Sequence, residues 1–187
     1  MRISGGRARG IPLRSPRGVD IRPAMDRLRQ GVFSSLGARV EGARFFDFFA
    51  GTGSYGLEAL SRGAAGGFFI EDNRAAVAAL KENIAAVCRS AGRPESAVRI
   101  SPTDVLRWTP PADEKADLIF ADPPFADIPL LGESLLRRFA GFLGPSPAGV
   151  VVFEMPGELE LACEGWRCLR RIGHGRGQPT CCLFVRC

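Results

Sequence analysis

The chain has 187 residues, 45% of them hydrophobic and 24% charged, with a formal net charge of +5. That is enough for one domain with its own apolar core and too apolar for a disordered chain. No run approaches the roughly 18 apolar residues of a membrane span, and residues near the N-terminus lack an apolar signal core, so a cytoplasmic protein away from membranes is expected.

The charge is segregated along the chain. Residues 1–44 carry a net +7, residues 45–164 a net −7, and residues 165–187 a net +5. Only Lys81 and Lys115 among the cations are not Arg. Arg forks onto phosphate and stacks on bases, so two basic ends around an acidic middle suit a nucleic-acid partner.

Residues 1–21 mix Arg, Gly and isolated apolar residues, a pattern for an exposed hairpin or extended arm that is mobile without a partner. From Arg22, Met25, Leu28, Val32, Phe33 and Leu36 recur at helical spacing, and Gly37 offers a stop. Residues 1–40 therefore read as a basic hairpin-and-helix extension, and residues 41–187 as the main domain.

That domain opens on F-F-D-F-F-A-G-T-G-S-Y-G, residues 45–56. An apolar run cut off by glycine suits a strand buried on both faces of a parallel sheet. Gly51, Gly53 and Gly56 have G-x-G-x-x-G spacing, and residues 54–62 can form a helix whose N-terminus faces a ligand. Glu71 ends the next apolar run, 67–70, and stands twenty residues after Gly51, placed to hold ribose hydroxyls. This recipe serves either a dinucleotide such as NAD or S-adenosylmethionine. Asp47, inside the first strand, favours the second, because a carboxylate repels a pyrophosphate and attracts an ammonium.

Further along, 73–90 reads as a helix capped by Asp72 or Asn73, and 98–100 as a strand leading to Asp104, beyond the strand end where ligands of open α/β sheets bind. A fourth strand, 117–121, runs into Asp122-Pro123-Pro124-Phe125. A helix is expected over 130–143, a fifth strand over 149–154, one helical turn within 156–164, and an antiparallel pair of strands over 166–172 and 180–186. The six cysteines, with no C-x-x-C pair and one His in the chain, read as small buried hydrophobes and not as a metal site.

Asp-Pro-Pro-Phe carries the chemistry. Two prolines hold the chain rigid past a strand end. They present the Asp122 carboxylate and the Pro123 carbonyl as two acceptors, with Phe125 as a flat plate. An exocyclic nucleobase amine donates two hydrogen bonds and stacks, which matches that arrangement.

These segments resemble the amino-methyltransferases with a D/N-P-P-Y/F motif. M-R-I-S-G-G-R-A-R-G, R-P-A-M-D-R-L-R-Q-G-V-F, D-F-F-A-G-T-G-S-Y-G-L-E-A-L-S-R-G-A and D-L-I-F-A-D-P-P-F together resemble the bacterial 16S ribosomal RNA guanine-N2 methyltransferases over residues 1 to about 125. The resemblance implies an α/β, Rossmann-like class I methyltransferase fold. Its sheet is seven-stranded and mostly parallel, with a C-terminal antiparallel hairpin. It implies S-adenosylmethionine as cofactor, lined by Asp47, Ala50, Gly51, Gly53 and Glu71 with Asp104 at the adenine end. It implies Asp122, Pro123 and Phe125 as the catalytic group, and Arg7, Arg22, Asp26, Arg27 and Arg29 as an RNA-facing motif. The implied partner is 16S ribosomal RNA or the small ribosomal subunit, approached by a monomer without a metal. Three alternatives stay open: an amino-methyltransferase for another RNA, DNA or protein; an NAD-dependent oxidoreductase; and a non-catalytic RNA-binding assembly factor.

Overall fold

The structure is a computed structural model that describes residues 1–16, 23–145 and 149–187. Seven strands form one sheet in the order β3-β2-β1-β4-β5-β7-β6. They are β1 (Arg44–Phe48), β2 (Gly66–Ile70), β3 (Val98–Ser101), β4 (Leu118–Ala121), β5 (Val150–Pro156), β6 (Trp166–Ile172) and β7 (Pro179–Arg186). The first five pair in parallel; β7 pairs antiparallel with both β5 and β6. This is the Rossmann-like sheet expected from the alternation of apolar runs and helices.

Among the described residues four α-helices cover it: α1 (Pro23–Leu36), α2 (Ser54–Ser61), α3 (Arg74–Ala91) and α4 (Ile128–Ala140). Side chains alternate across β1, and each face has its own core. Phe45, Phe69, Phe120 and Val152 pack with Val32 and Phe33 of α1, Leu57 of α2 and Leu80 of α3. Phe46, Phe48, Ile119 and Phe153 pack with Trp108 and with Leu135 and Phe139 of α4 on the other face. Burial on both faces is why these strands read as continuous apolar runs.

Local chemistry explains the element ends. Asn73 caps α3 by accepting from the Ala75 and Ala76 amides at 2.9 and 3.0 Å. Helix α4 starts at Ile128, two residues earlier than expected, because Pro129 falls in the first turn, where a missing N–H is harmless. Within 156–164 the chain makes a single hydrogen-bonded turn, the Leu159 amide donating to the Pro156 carbonyl at 3.1 Å, and no helix; the Leu161 side chain packs over Gly132. Among the cysteines, Cys88, Cys163, Cys181 and Cys182 are buried, whereas Cys168 and Cys187 are exposed.

The N-terminal segment departs most from expectation. It forms a hairpin, with Arg2 bridged antiparallel to Pro12, but it is docked and not a free arm. Ile3, Ala8 and Leu13 are buried in the core. The Ser4 amide and hydroxyl both donate to Glu58 at 2.7 Å, and the Ala8 amide donates to the Ser61 hydroxyl at 2.9 Å. A few apolar residues suffice because α2 supplies a buried carboxylate to fix the hairpin backbone.

Candidate active site

The carboxyl ends of β1, β2, β3 and β4 meet at one edge of the sheet, and the predicted site residues gather there. Past β1, the Gly53 amide donates to the Ala50 carbonyl at 2.7 Å, and Gly53 takes a left-handed φ of 79° as the residue before α2. Gly56, in the first turn of α2, lies so close to β1 and β2 that a Cβ there would sit 2.4 Å from the Phe69 ring. Glycine here brings the start of α2 against the sheet.

Glu71 braces this loop. One carboxylate oxygen accepts the Gly51 amide at 2.7 Å and the other accepts the Asn73 amide at 2.8 Å. Asp47 sits beneath it, 3% exposed, accepting the Gly56 amide at 2.9 Å. Burial pushes the Asp47 carboxyl up to about 8; the Gly56 amide opposes that rise and the Glu71 charge adds to it.

Two hollows flank this edge and share Phe49, which takes a left-handed φ of 57° unusual for a large side chain. The first, about 490 Å³, is lined by Ala50, Gly51, Thr52, Ser54, Asn73 and Asp122, with Met1, Ser15, Pro16 and Met25 as its outer wall. The second, about 270 Å³, is lined by Glu71, Asp72, Asp104, Leu106, Asp127 and Leu131. Arg138 of α4 holds the 104–108 loop in place by donating to the Val105 carbonyl at 2.9 Å and to the Trp108 carbonyl. Among the described residues lining the two hollows, every charged side chain is a carboxylate.

The structure thus brings Ala50, Gly51 and Asp122 to one hollow and Glu71 and Asp104 to its neighbour. Gly53 and Asp47 lie behind the lining and shape it. Asp122 is half-buried, Pro123 buried, and Phe125 exposed outside both linings. Burial drives the Asp122 carboxyl well above the usual carboxylate range, and the charges of Glu154 and Asp47 push the same way.

The residues of the expected RNA-facing motif separate. Arg7 and Arg27 are exposed. Arg22 lies outside the described residues. Arg29 does not face solvent: it is 2% exposed, and its guanidinium bonds Asp26 at 2.9 Å, Glu58 at 3.3 Å and the Arg2 carbonyl at 2.5 Å. Asp26 is thereby its partner. Helical spacing put Arg29 on the polar side of α1, but the docked hairpin covers that side.

Tyr55, Glu154 and Cys181 are polar groups near the site that periodicity did not single out. The Tyr55 hydroxyl donates to Glu154 at 2.7 Å and lies 3.1 Å from the Cys181 sulfur. Glu154 ends the apolar run 149–153, which was the available signal.

The family described as Conserved hypothetical protein 95 matches residues 1–184. "Ribosomal RNA small subunit methyltransferase D" of Escherichia coli strain K12 is 37% identical over 125 residues, covering 67% of this chain and 60% of that relative. The matched part of this chain therefore spans less than two thirds of that relative's length. "Putative rRNA methyltransferase YlbH" of Bacillus subtilis strain 168 is 28% identical over 161 residues, covering 86% of this chain and 85% of the relative. The solved structure of a putative methyltransferase, yhhF from Escherichia coli, superposes with a TM-score of 0.79 at 27% identity, covering 100% of this chain and 97% of that one.

Proposed function

The chain belongs to the Conserved hypothetical protein 95 family, and from that premise we propose that it is an S-adenosylmethionine-dependent methyltransferase acting on the exocyclic N2 amine of a guanine in 16S ribosomal RNA. The observation that carries this reading is the charge of the two hollows. Four acids, Glu71, Asp72, Asp104 and Asp127, line the second hollow, and Asp122, whose carboxyl burial drives toward its neutral form, lines the first; neither lining holds an Arg or Lys among the described residues. A pyrophosphate would be repelled there, whereas a cationic nucleoside is attracted. The names of the relatives support ribosomal RNA of the small subunit as substrate.

The residues fit such a cofactor. Ala50, Gly51 and Thr52 offer backbone to its amino-acid end. Glu71 keeps lone pairs for ribose hydroxyls beyond the two amides it already accepts. Asp104 accepts the Leu106 amide at 2.8 Å with one oxygen, and its other oxygen, 3.7 Å from the Arg107 Nε, keeps lone pairs for an adenine amine. When bound, the cofactor supplies an electrophilic methyl group on a sulfonium.

The rest is done by the chain. Asp122 and the Pro123 carbonyl accept the two N–H groups of the target amine and orient its lone pair, and the exposed face of Phe125 receives the base ring. A paired guanine cannot reach a strand-end hollow, so the base enters flipped or already unpaired. As nitrogen gains the methyl group it sheds one proton, and Asp122 in its ionised form takes it; burial raises that carboxyl, so the step gains as pH rises through its titration. Most of the acceleration is orientation and electrostatics.

Residues 1–40 serve as the RNA-facing part in this reading, through exposed Arg7 and Arg27. Arg27 shares a hollow with Ile172, Gly173 and His174 of the C-terminal hairpin, which also carries the exposed Arg170 and Arg176.

The test is transfer of labelled methyl from S-adenosylmethionine into small-subunit ribosomal RNA from cells lacking this protein, as naked RNA and as assembled subunits. Label recovered as N2-methylguanosine, and reduced about 10²–10⁴-fold by Asp122→Ala, is expected. Label in another nucleoside, or none in any RNA, overturns the base or the substrate assignment respectively.

A further inference from the structure

Behind Asp122 lies a second carboxyl that the proposed reaction does not use. The β4–β5 register pairs Ala121 with Phe153, so the next residues, Asp122 and Glu154, stand side by side on adjacent strands. Neighbouring strands run about 4.8 Å apart. Alternation puts both on the face that carries Phe120 and Val152, beneath α1 and α2. Glu154 is 5% exposed. One oxygen accepts the Tyr55 hydroxyl of α2 at 2.7 Å and lies 3.9 Å from the Cys181 sulfur of β7.

A buried carboxylate is expensive, and an apolar residue at this place in β5 would cost less. Burial raises the Glu154 carboxyl, and its partners offset part of that rise. Tyr55 donates to it, and the Arg29 guanidinium of α1 acts on it as a positive charge. Asp47 of β1 and Asp122 of β4 are acids on the same side, and Arg29 itself is shared with Glu58 of α2 at 3.3 Å and Asp26 at 2.9 Å. An ionised Glu154 therefore has a like charge as its lateral neighbour, in the residue that meets the target amine.

Resting on the methyltransferase reading above, we propose that Glu154, fixed by the Tyr55 hydroxyl, is a positioning residue that acts through Asp122 and makes it the stronger base. A negative charge one strand away discourages Asp122 from ionising and so strengthens its hold on the proton shed by the amine. No bond to Glu154 forms or breaks; its charge does the work. Burial raises the Glu154 carboxyl itself, while Tyr55, Cys181 and Arg29 oppose that rise, so its ionisation depends on these partners.

The experiment compares wild type, Glu154→Gln and Tyr55→Phe. Carboxyl-¹³C Asp NMR of the protein alone reads the Asp122 titration midpoint, assigned by its loss in Asp122→Asn. Glu154→Gln keeps the volume and removes the charge, so the midpoint falls by about one to two pH units. Tyr55→Phe makes Glu154 harder to ionise and moves the midpoint the same way by less; it also serves if Glu154→Gln does not fold. The acid limb of kcat/KM for methyl transfer follows the midpoint. An unmoved midpoint in folded variants, or a uniform rate loss with an unmoved pH profile, overturns the proposal. The NMR midpoint needs neither RNA nor cofactor. Absent methyl transfer by wild type would sink the function proposed above without touching this measurement.

Discussion

Replacing Glu58 by Gln is the sharpest test of how the N-terminal hairpin is held. Glu58 is fully buried, and four donors converge on it: the Ser4 amide and hydroxyl and the Arg62 Nε, each at 2.7 Å, and the Arg29 Nε at 3.3 Å. A glutamine keeps one acceptor oxygen and turns an NH₂ toward the other pair of donors. About two charge-assisted bonds are lost at roughly 1.5–3 kcal/mol each. Breaking a buried ion pair by removing one partner costs about 3–5 kcal/mol, the same range. For a chain of this size that lowers the melting temperature by roughly 6–20 °C. Urea unfolding measures the loss, and hydrogen exchange localises it. The Ile3 amide, bonded to the Ile11 carbonyl, and the Gly10 amide, bonded to the Ile3 carbonyl, should lose protection before the sheet does. Met1, Ser15 and Pro16 wall the larger hollow, so cofactor binding should weaken with them. A loss under about 1 kcal/mol, with Ile3 and Gly10 exchanging as in wild type, would refute the claim that Glu58 anchors the hairpin.

Asp47 predicts a pH dependence. An unfolded Asp titrates near 3.9, whereas burial holds the folded Asp47 carboxyl up to about 8. The folded state binds the extra proton in that window, so its stability is whole below about pH 4 and declines as pH rises toward 8. Asp47→Asn keeps an acceptor for the Gly56 amide and removes the titration. Its unfolding midpoint should therefore gain on wild type from pH 5 to about 8 and level off above that, and parallel curves would refute the assignment. Gly56→Ala would drive a methyl to 2.4 Å from the Phe69 ring and 2.6 Å from the Phe45 ring, so a loss of about 1–3 kcal/mol is expected in denaturant unfolding. Arg27→Ala should lower the slope of log affinity for RNA against log salt by about one, whereas the buried Arg29 should act through stability instead. An unchanged salt slope in Arg27→Ala would remove that residue from the RNA surface.

The sequence by itself determined the sheet and its ligand edge. Apolar runs ending in Gly51, Glu71 and Asp122 declare strands buried on both faces, because only a sheet covered by helices on both sides tolerates such runs. Glycine spacing and the two prolines after Asp122 act through backbone geometry alone, so they were legible without neighbours. The tertiary structure decided what depends on contacts between distant segments. Arg29 reads as a surface cation until the hairpin closes over it and Glu58, 29 residues away, takes it as a partner. The hairpin reads as a loose arm until α2 supplies Glu58 and Ser61 to its backbone. Tyr55 and Glu154 are 99 residues apart, and no periodicity joins them. Local pattern encodes which face of an element is apolar. Which buried charge finds which partner is set only when the layers pack, because burial makes an unpaired charge intolerable and so fixes the pairing.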